Sequence, residues 1–99
     1  MKYRISKAAA IDLESIWLYT CETWSVEQAD RYFNLLLDEI EYLSVNPESG
    51  KHYSHVIKGY FRSRVKSHFI FYKINRKRKE LEIIRILHQR MDIESQLTD

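Results

Sequence analysis

The 99 residues are 44% hydrophobic and 30% charged, with two glycines and one proline. This composition excludes a disordered or fibrous chain and allows one globular domain, residues 1–99. The formal net charge of +2 conceals an uneven distribution: residues 1–50 carry four Lys and Arg against nine Asp and Glu, and residues 51–99 carry twelve against five. A basic half of this kind predicts an anionic partner, either nucleic acid or an acidic protein segment.

The chain opens with a predicted short strand followed by a helix. Residues 3–6 alternate apolar with polar side chains, as a half-buried strand does. Ser6 is then a candidate N-cap for a helix from Lys7 to Thr23. One face of this helix is apolar and is formed by Ala9, Leu13, Ile16, Trp17 and Thr20. Its carboxylates are expected to point mostly elsewhere: Asp12, Glu14 and Glu22.

The next segment has the clearest helical periodicity in the chain. Ser25 is its candidate N-cap, and Gln28 three residues later completes a capping-box pattern. Apolar residues then recur at steps of three and four: Ala29, Tyr32, Phe33, Leu36, Leu37, Ile40 and Leu43. We expect this helix to end near Asn46, because Pro47 disfavours helical geometry in the residue before it. The two helices lie so close in sequence that they are predicted to form an antiparallel helical hairpin.

The second half of the chain predicts a loop followed by strands. The loop spans residues 46–59, and a strand with one basic face comes after it, because apolar and small residues alternate with cations: Phe61, Arg62, Ser63, Arg64, Val65 and Lys66. Two apolar runs, residues 68–74 and 81–88, flank the basic turn 75–80 and predict a β-hairpin.

Closing this hairpin about its turn sets the cross-strand neighbours. One face then carries three pairs: His68 with His88, Ile70 with Ile86, and Tyr72 with Ile84. The other face carries the remaining large side chains: Phe69, Phe71, Ile83, Arg85 and Leu87. Because both faces carry apolar residues, both must be covered, and a partner chain is a candidate for covering one of them.

A short polar tail, residues 89–99, completes the chain, and its only large apolar residues are Met91, Ile93 and Leu97. The predicted element order is therefore β-α-α-β-β-β. This is an α+β fold, in which a helical hairpin packs on one face of a mostly antiparallel, four-stranded sheet.

The sequence also indicates the compartment. No apolar run approaches the ~18 residues that a membrane-spanning helix needs. The N-terminal segment lacks the apolar core of a signal peptide. The single cysteine, Cys21, excludes an internal disulfide and fits a reducing environment. We therefore expect a cytoplasmic protein that does not associate with a membrane.

Residues that could support catalysis do not form a known motif. His52 and His55 have ligand-like spacing, but no second pair of ligands lies near in sequence, so we expect neither a metal nor a cofactor. The chain has no Gly-rich phosphate loop and no Gly-flanked nucleophile. His68 and His88 are expected to complete the edge of a buried sheet in preference to transferring protons. We therefore assign no catalytic residue.

Arg85 is the most informative single residue. It lies mid-strand among apolar residues, where burying an unpaired guanidinium would be costly. It must therefore pair with a carboxylate of the same chain, reach an edge, or lie in a surface that a partner covers. An arginine flanked by Phe69 and Phe71 has the composition of many protein interfaces. For Arg85, an intramolecular ion pair and a partner interface are both possible on sequence grounds.

The basic turn of the hairpin, residues 75–80, also has two interpretations. It is either a solvated run of charges or a tip that contacts the phosphates of a nucleic acid.

Five strings of residues resemble the ParE branch of the RelE/ParE superfamily of toxins. The resemblance covers nearly the whole chain, and the order of elements derived above is similar to the RelE/ParE-like fold. The shorter strings are Ala10-Ile11-Asp12-Leu13, Asn46-Pro47, and Gly59-Tyr60 with Arg62. The longer ones are Ser67–Tyr72 and Ile84–Asp92, and these two are fairly specific together. One deviation is that Phe61 intervenes before Arg62, where the family pattern often has Arg directly after Gly-Tyr.

This resemblance implies the toxin of a type II toxin–antitoxin, or plasmid-stabilisation, system. Such a toxin is neutralised by an acidic, partly disordered ParD-like antitoxin that wraps over it, and it meets operator DNA only indirectly, through the antitoxin. ParE-type members inhibit DNA gyrase by binding. The alternative is the RelE type, a ribosome-dependent mRNA endoribonuclease that often uses a tyrosine or histidine close to the C-terminus. Nothing aromatic follows His88 here, which favours gyrase. A third alternative is a non-toxic nucleic-acid-binding or regulatory module.

Two partner surfaces follow as expectations. The two-faced hairpin and its basic neighbour strand indicate an antitoxin-binding surface: Arg62, Arg64, Phe69, Phe71, Arg85 and Leu87, with Lys66 beside them. For gyrase we favour the tail after His88, namely Arg90, Met91 and Asp92.

Overall fold

The computed structural model describes residues 1–98. Its elements are β1 (Lys2–Ile5), α1 (Lys7–Thr23), α2 (Val26–Val45), β2 (Lys51–His52), β3 (Tyr60–Val65), β4 (His68–Asn75), β5 (Glu80–His88) and α3 (Ile93–Thr98). The strands form one sheet in the order β1-β5-β4-β3-β2, in which β1 runs parallel to β5 and the other neighbours are antiparallel. The α+β fold with a helical hairpin is confirmed, although the sheet has five strands where four were predicted.

Both helix starts are fixed by the predicted caps. The Ser6 hydroxyl accepts a hydrogen bond from the Ala9 backbone N–H at 3.0 Å, and the Ser25 hydroxyl accepts one from the Gln28 N–H at 3.1 Å. These contacts satisfy N–H groups that a helix start otherwise leaves unpaired. Helix α2 ends at Val45, immediately before Asn46, as predicted.

The main core lies between the helical hairpin and one face of the sheet. Its fully buried centre combines side chains of α2 with side chains of the central strands: Leu36, Ile40, Leu43, Ile70, Tyr72, Leu81, Ile83 and Ile86. Each such side chain contributes roughly 1.5–3 kcal/mol by leaving water. Within residues 1–98, no helix is both long enough and apolar enough to cross a membrane.

At its open end the β4–β5 hairpin has the predicted strand register. Closer to the turn, the register is shifted by one residue. His68 lies opposite His88, but a bulge between Phe71 and Tyr72 places Tyr72 opposite Ile83. The predicted Tyr72–Ile84 pair is therefore wrong. The extra residue on β5 also moves Ile83 to the helical side, where it packs in the main core and not beside Phe71. A bulge reverses side-chain direction in this way because strand side chains alternate with a period of two.

Two short elements were not predicted. Strand β2 lies inside the segment predicted as a loop, and α3 lies inside the polar tail. The Asp92 carboxylate precedes α3 and accepts hydrogen bonds from the Ser95 hydroxyl at 2.9 Å and the Ser95 N–H at 3.4 Å. Both elements are too short to show a hydrophobic period in the sequence.

The chain itself covers the middle of the second sheet face. Phe71 and Leu87 are 0% and 1% exposed and form a second core with Tyr53. The loop before β3, the first residue of β3 and helix α3 pack over them with partly buried side chains: Val56, Tyr60, Ile93 and Leu97. A partner is therefore not needed to bury the centre of this face.

Candidate functional site

All six residues predicted to contact an antitoxin lie on the second face of the sheet, and we call them the sheet face. The strand register arranges them in two rows across β3, β4 and β5. One row is Arg64, Phe69 and Leu87, and the other is Arg62, Phe71 and Arg85. Alternation along β3 places its two arginines here, since Phe61 and Val65 pack into the main core on the opposite side.

Aromatic rings hold the basic side chains of β3 in place. The guanidinium carbon of Arg62 lies 4.6 Å from the Phe69 ring centre and 5.4 Å from that of Tyr53, which is cation–π geometry. Arg64 donates one hydrogen bond to the Lys66 carbonyl at 2.7 Å and another to the Gln89 side chain at 2.8 Å. The uncovered part of the sheet face therefore combines positive charge with aromatic surface, a composition typical of protein interfaces.

Arg85 pairs with a carboxylate of the same chain. Its Nε and Nη2 donate to the two oxygens of Asp12 at 2.8 and 2.9 Å, and its Nη1 donates to the Gln96 carbonyl at 3.3 Å. The hydrogen bonds to Asp12 raise the pKa of Arg85 above its ordinary value. The structure therefore contains the intramolecular ion pair that was one of the alternatives for Arg85. About a quarter of the Arg85 side chain remains exposed at the sheet face.

The helical pattern predicted that Asp12 points away from the core, and this prediction is wrong: its carboxylate binds β5. Strand β1 covers β5 only as far as Ile83, so the end of β5 is an open sheet edge. Side chains of the α1 start close that edge: the Ser6 hydroxyl donates to the Ile84 carbonyl at 2.8 Å, and Asp12 accepts from the Ile86 N–H at 2.9 Å. The local helix pattern cannot reveal a partner 73 residues away.

The residues predicted to contact gyrase lie in the bend between β5 and α3, and all three are exposed. Asp92 has a structural role because it caps α3. The Arg90 backbone N–H donates to His88 Nδ1 at 3.1 Å, which fixes the bend. The side chains of Arg90 and Met91 remain exposed.

A polar cluster lies at the open end of the β4–β5 hairpin, where the sequence predicted the His68–His88 pair but not the contact with Tyr32. The Tyr32 hydroxyl donates to the Val65 carbonyl at 3.0 Å and contacts His68 Nδ1 at 2.6 Å. The His68 and His88 rings meet edge to face at 5.1 Å. Burial and the neighbouring His88 lower the pKa of His68 from 6.5 to about 4, so His68 is neutral at pH 7. Tyr32 was predicted only as an apolar residue of the helix, and its hydroxyl partner could not be identified from periodicity.

The two loop histidines do not converge. The His52 ring packs against Phe61 at 4.5 Å, and the His55 ring packs against Tyr53 at 5.1 Å. Within residues 1–98, no group of three or more His, Cys, Asp or Glu is arranged to hold a metal ion.

Sequence and structure comparisons identify the family of the chain. The family model for the ParE toxin of the type II toxin–antitoxin system, parDE, matches residues 3–93. The chain is 38% identical over 95 residues to Toxin ParE1 of Caulobacter vibrioides, covering 96% of each protein. It is 34% identical over 96 residues to Toxin ParE1 of Mycobacterium tuberculosis, covering 97% of each. Its fold is similar to a chain of the chromosomal ParDE TA system from P. aeruginosa, with a TM-score of 0.77 and 18% identity over 89% of this chain and 95% of that one. The resemblance drawn from the sequence is thereby confirmed, and the chain belongs to the ParE toxin family of type II toxin–antitoxin systems.

Proposed function

We propose that this toxin acts in the cytoplasm by binding and inhibiting DNA gyrase, with no hydrolytic chemistry of its own, and that a ParD-like antitoxin neutralises it. The observation that carries the proposal is the match of the ParE toxin family over residues 3–93. Supporting it, the chain presents two surfaces of different composition: the uncovered part of the sheet face, which is basic and aromatic, and the exposed bend after β5.

The sheet face is our proposed antitoxin site. Arg62 and Arg64 present positive charge beside the half-buried Phe69, which suits an acidic segment with apolar side chains. Exposed charges of this kind steer association and make it sensitive to salt. We expect Arg62→Glu to weaken antitoxin binding by about tenfold, which corresponds to ~1.4 kcal/mol. Lys77→Glu is the matched control, since it makes the same charge change at the exposed hairpin turn. A complex insensitive to both salt and Arg62→Glu would remove the assignment.

The role of Arg85 needs a pair of variants because Asp12 holds it. Arg85→Gln and Asp12→Asn both weaken this ion pair, but only Arg85→Gln removes the guanidinium group from the sheet face. We expect antitoxin affinity to fall more in Arg85→Gln. Equal losses in the two variants, measured by titration calorimetry, would mean that Arg85 acts only through the fold.

Phe71 and Leu87 can meet an antitoxin only after α3 has moved, because α3 packs over their cluster. Helix α3 has six residues and packs through two apolar side chains, Ile93 and Leu97. A helix this short has little stability of its own. We therefore propose that the antitoxin displaces α3, and we expect faster hydrogen exchange of its amides in the complex. Unchanged or slower exchange would restrict the contact to the arginines and Phe69.

For gyrase, the proposed contacts are Arg90 and Met91. Truncation of the tail is a poor test because it would remove α3 and expose the cluster beneath it. Point variants avoid this problem: Arg90→Glu and Met91→Ala change exposed side chains only. We expect each to reduce inhibition of supercoiling while antitoxin affinity stays constant, and full inhibition by both would refute the assignment.

The experiment that tests the function itself is a gyrase supercoiling assay beside an in vitro translation assay. Inhibited supercoiling with normal translation is the expected result. Blocked translation with mRNA cleavage would instead identify a RelE-type endoribonuclease. If neither assay responds, a non-toxic binding module becomes the better description.

A further inference from the structure

A groove of about 610 Å³ opens where the closed end of the helical hairpin meets the open end of the β4–β5 hairpin. We call it the hairpin-end groove. Its walls come from the second half of α1, the first half of α2, the β3–β4 turn and the residues that end and follow β5. Its size is within the range of pockets that bind ligands. It lies on the helical side of the sheet, opposite the sheet face.

The groove is positively charged although the acidic half of the chain builds most of it. Helices α1 and α2 belong to residues 1–50, which carry nine carboxylates against four cations. The part of these helices that lines the groove nevertheless contributes Arg31, and the β3–β4 turn adds Lys66, both exposed. No carboxylate is among the lining residues within the described chain. The groove therefore favours an anionic occupant.

The rim of the groove is apolar and exposed. Trp24 and Tyr19 are 69% and 68% exposed, and Met91 is 48% exposed. Trp, Tyr and Arg are the residue types most enriched at the centres of protein interfaces. A phosphate backbone would find only two cations here, whereas an acidic peptide with an apolar side chain would use both the cations and the rim. The composition thus favours a protein segment over a nucleic acid.

Polar rings also line the groove: Tyr32, His68 and His88. His88 Nδ1 accepts a hydrogen bond from the Arg90 N–H, which holds the ring in place. Tyr32 and His68 are held by their mutual contact and by the Val65 carbonyl. A carboxylate in the groove would thus meet the two cations beside three polar rings that hydrogen bonds hold in place.

We propose that the hairpin-end groove is the docking site for the toxin's protein target and takes an acidic segment carrying one aromatic or aliphatic anchor. This inference rests on the proposed function and deepens it: Met91, a proposed gyrase contact, is part of the groove's rim. Target and antitoxin then contact opposite sides of the sheet.

The first test reverses the charge of the groove. Arg31→Glu and Lys66→Glu, singly and together, are compared with Lys77→Glu as the matched charge control, and circular dichroism checks that each folds. We expect the double variant to need roughly tenfold more protein for half-inhibition of supercoiling, the equivalent of ~1.4 kcal/mol of binding. Lys77→Glu should inhibit like the wild type, and Arg31→Glu should leave antitoxin affinity unchanged, because Arg31 is not among the residues expected to contact the antitoxin. Full inhibition by the double variant, or a loss of antitoxin affinity in Arg31→Glu as large as its loss of inhibition, overturns the proposal.

A second test does not depend on gyrase. The wild type and the double variant are titrated with the peptide acetyl-Glu-Leu-Phe-Asp-amide and with its basic counterpart acetyl-Lys-Leu-Phe-Lys-amide, and NMR follows the Trp24 indole and His88 ring signals. We expect the acidic peptide to shift these signals in the wild type and not in the double variant. The basic peptide should leave the signals of the wild type and of the double variant unchanged. If the wild type does not inhibit gyrase but binds the acidic peptide, the proposed function fails and the groove serves another acidic target. If the acidic peptide does not bind, the groove proposal is refuted whatever gyrase does.

Discussion

The contact between Asp12 and β5 gives the sharpest prediction about stability. One carboxylate accepts three hydrogen bonds, two from the Arg85 guanidinium and one from the Ile86 N–H, all between 2.8 and 2.9 Å. The side chains of Arg85 and Asp12 are 23% and 12% exposed, so solvent screens the pair only partly. Replacing Asp12 with Ala removes all three bonds. The Arg85 cation then keeps its hydrogen bond to the Gln96 carbonyl but loses its counter-charge, and the Ile86 N–H at the sheet edge loses its acceptor.

The expected magnitude follows from these contacts. Removing one partner of a buried ion pair costs about 3–5 kcal/mol, and a single hydrogen bond to a charged group contributes about 1.5–3 kcal/mol. Because the Arg85–Asp12 pair is partly hydrated, we expect the lower end of the first range, about 3 kcal/mol. In a domain of this size a loss of that magnitude lowers Tm by about 12–24 °C.

The assay is urea unfolding followed by far-UV circular dichroism, with Glu14→Ala as the matched control. Glu14 is exposed on the same helix, so its replacement also removes a carboxylate and adds an alanine to α1, without breaking the β5 contact. Its gain in helix propensity is smaller than that of Asp12→Ala, so the comparison does not overstate the loss at Asp12. Asp12→Asn keeps one acceptor oxygen but loses the charge, and it should cost about half as much as Asp12→Ala. In the Asp12→Ala, Arg85→Ala double-mutant cycle, we expect a coupling free energy of about 2 kcal/mol.

Two results would refute this reasoning. The first is that Asp12→Ala and Glu14→Ala have the same free energy of unfolding. Asp12 would then contribute no more to stability than a solvated carboxylate such as that of Glu14. The second is a coupling free energy near zero, which would mean that Asp12 stabilises the edge of β5 without the help of Arg85.

Two further predictions concern backbone approach and pH. Gly50→Ala should destabilise the fold by about 2 kcal/mol or more, because an added Cβ would lie 2.4 Å from the Tyr72 hydroxyl. At Gly59 an added Cβ meets no atom within 4 Å, so Gly59→Ala should cost only the ~1 kcal/mol that a positive φ imposes on alanine. Equal losses in urea unfolding would contradict this contrast. Because the pKa of His68 is lowered from 6.5 to about 4, the unfolded chain takes up this proton first, and the stability it contributes is present above pH 6.5 and is lost as pH falls through about 4. His68→Gln should flatten this decline, and replacing the exposed His55 with Gln should not; identical pH profiles would exclude His68 as the source.

Local sequence signals predicted the helices and the composition of the sheet face well. The Ser6 and Ser25 caps and the period of α2 are properties of neighbouring residues, and the helix bounds agree within one residue. Alternation along β3 and β4 also predicted which side chains share a face, so Arg62 and Phe69 lie together as expected.

The features that could not be predicted depend on contacts between distant segments. The bulge beside Phe71 changes the direction of Ile83, but nothing in an apolar run marks where an extra residue lies. Asp12 follows the pattern of a solvated helix position, and only the missing neighbour of β5 explains why it turns inward. The packing of α3 against Phe71 was not predicted, because a helix of six residues is too short to show a hydrophobic periodicity in the sequence.

The order of the strands has a consequence for the behaviour of the toxin when no antitoxin is present. The outermost strands, β1 and β2, are four and two residues long, and they carry Lys2, Arg4 and Lys51. Short strands with basic side chains are poor templates for pairing with another copy, because positive charges would face each other before many backbone hydrogen bonds could form. We therefore expect the free protein to resist aggregation through its sheet and to remain dispersed until it meets a partner through its faces.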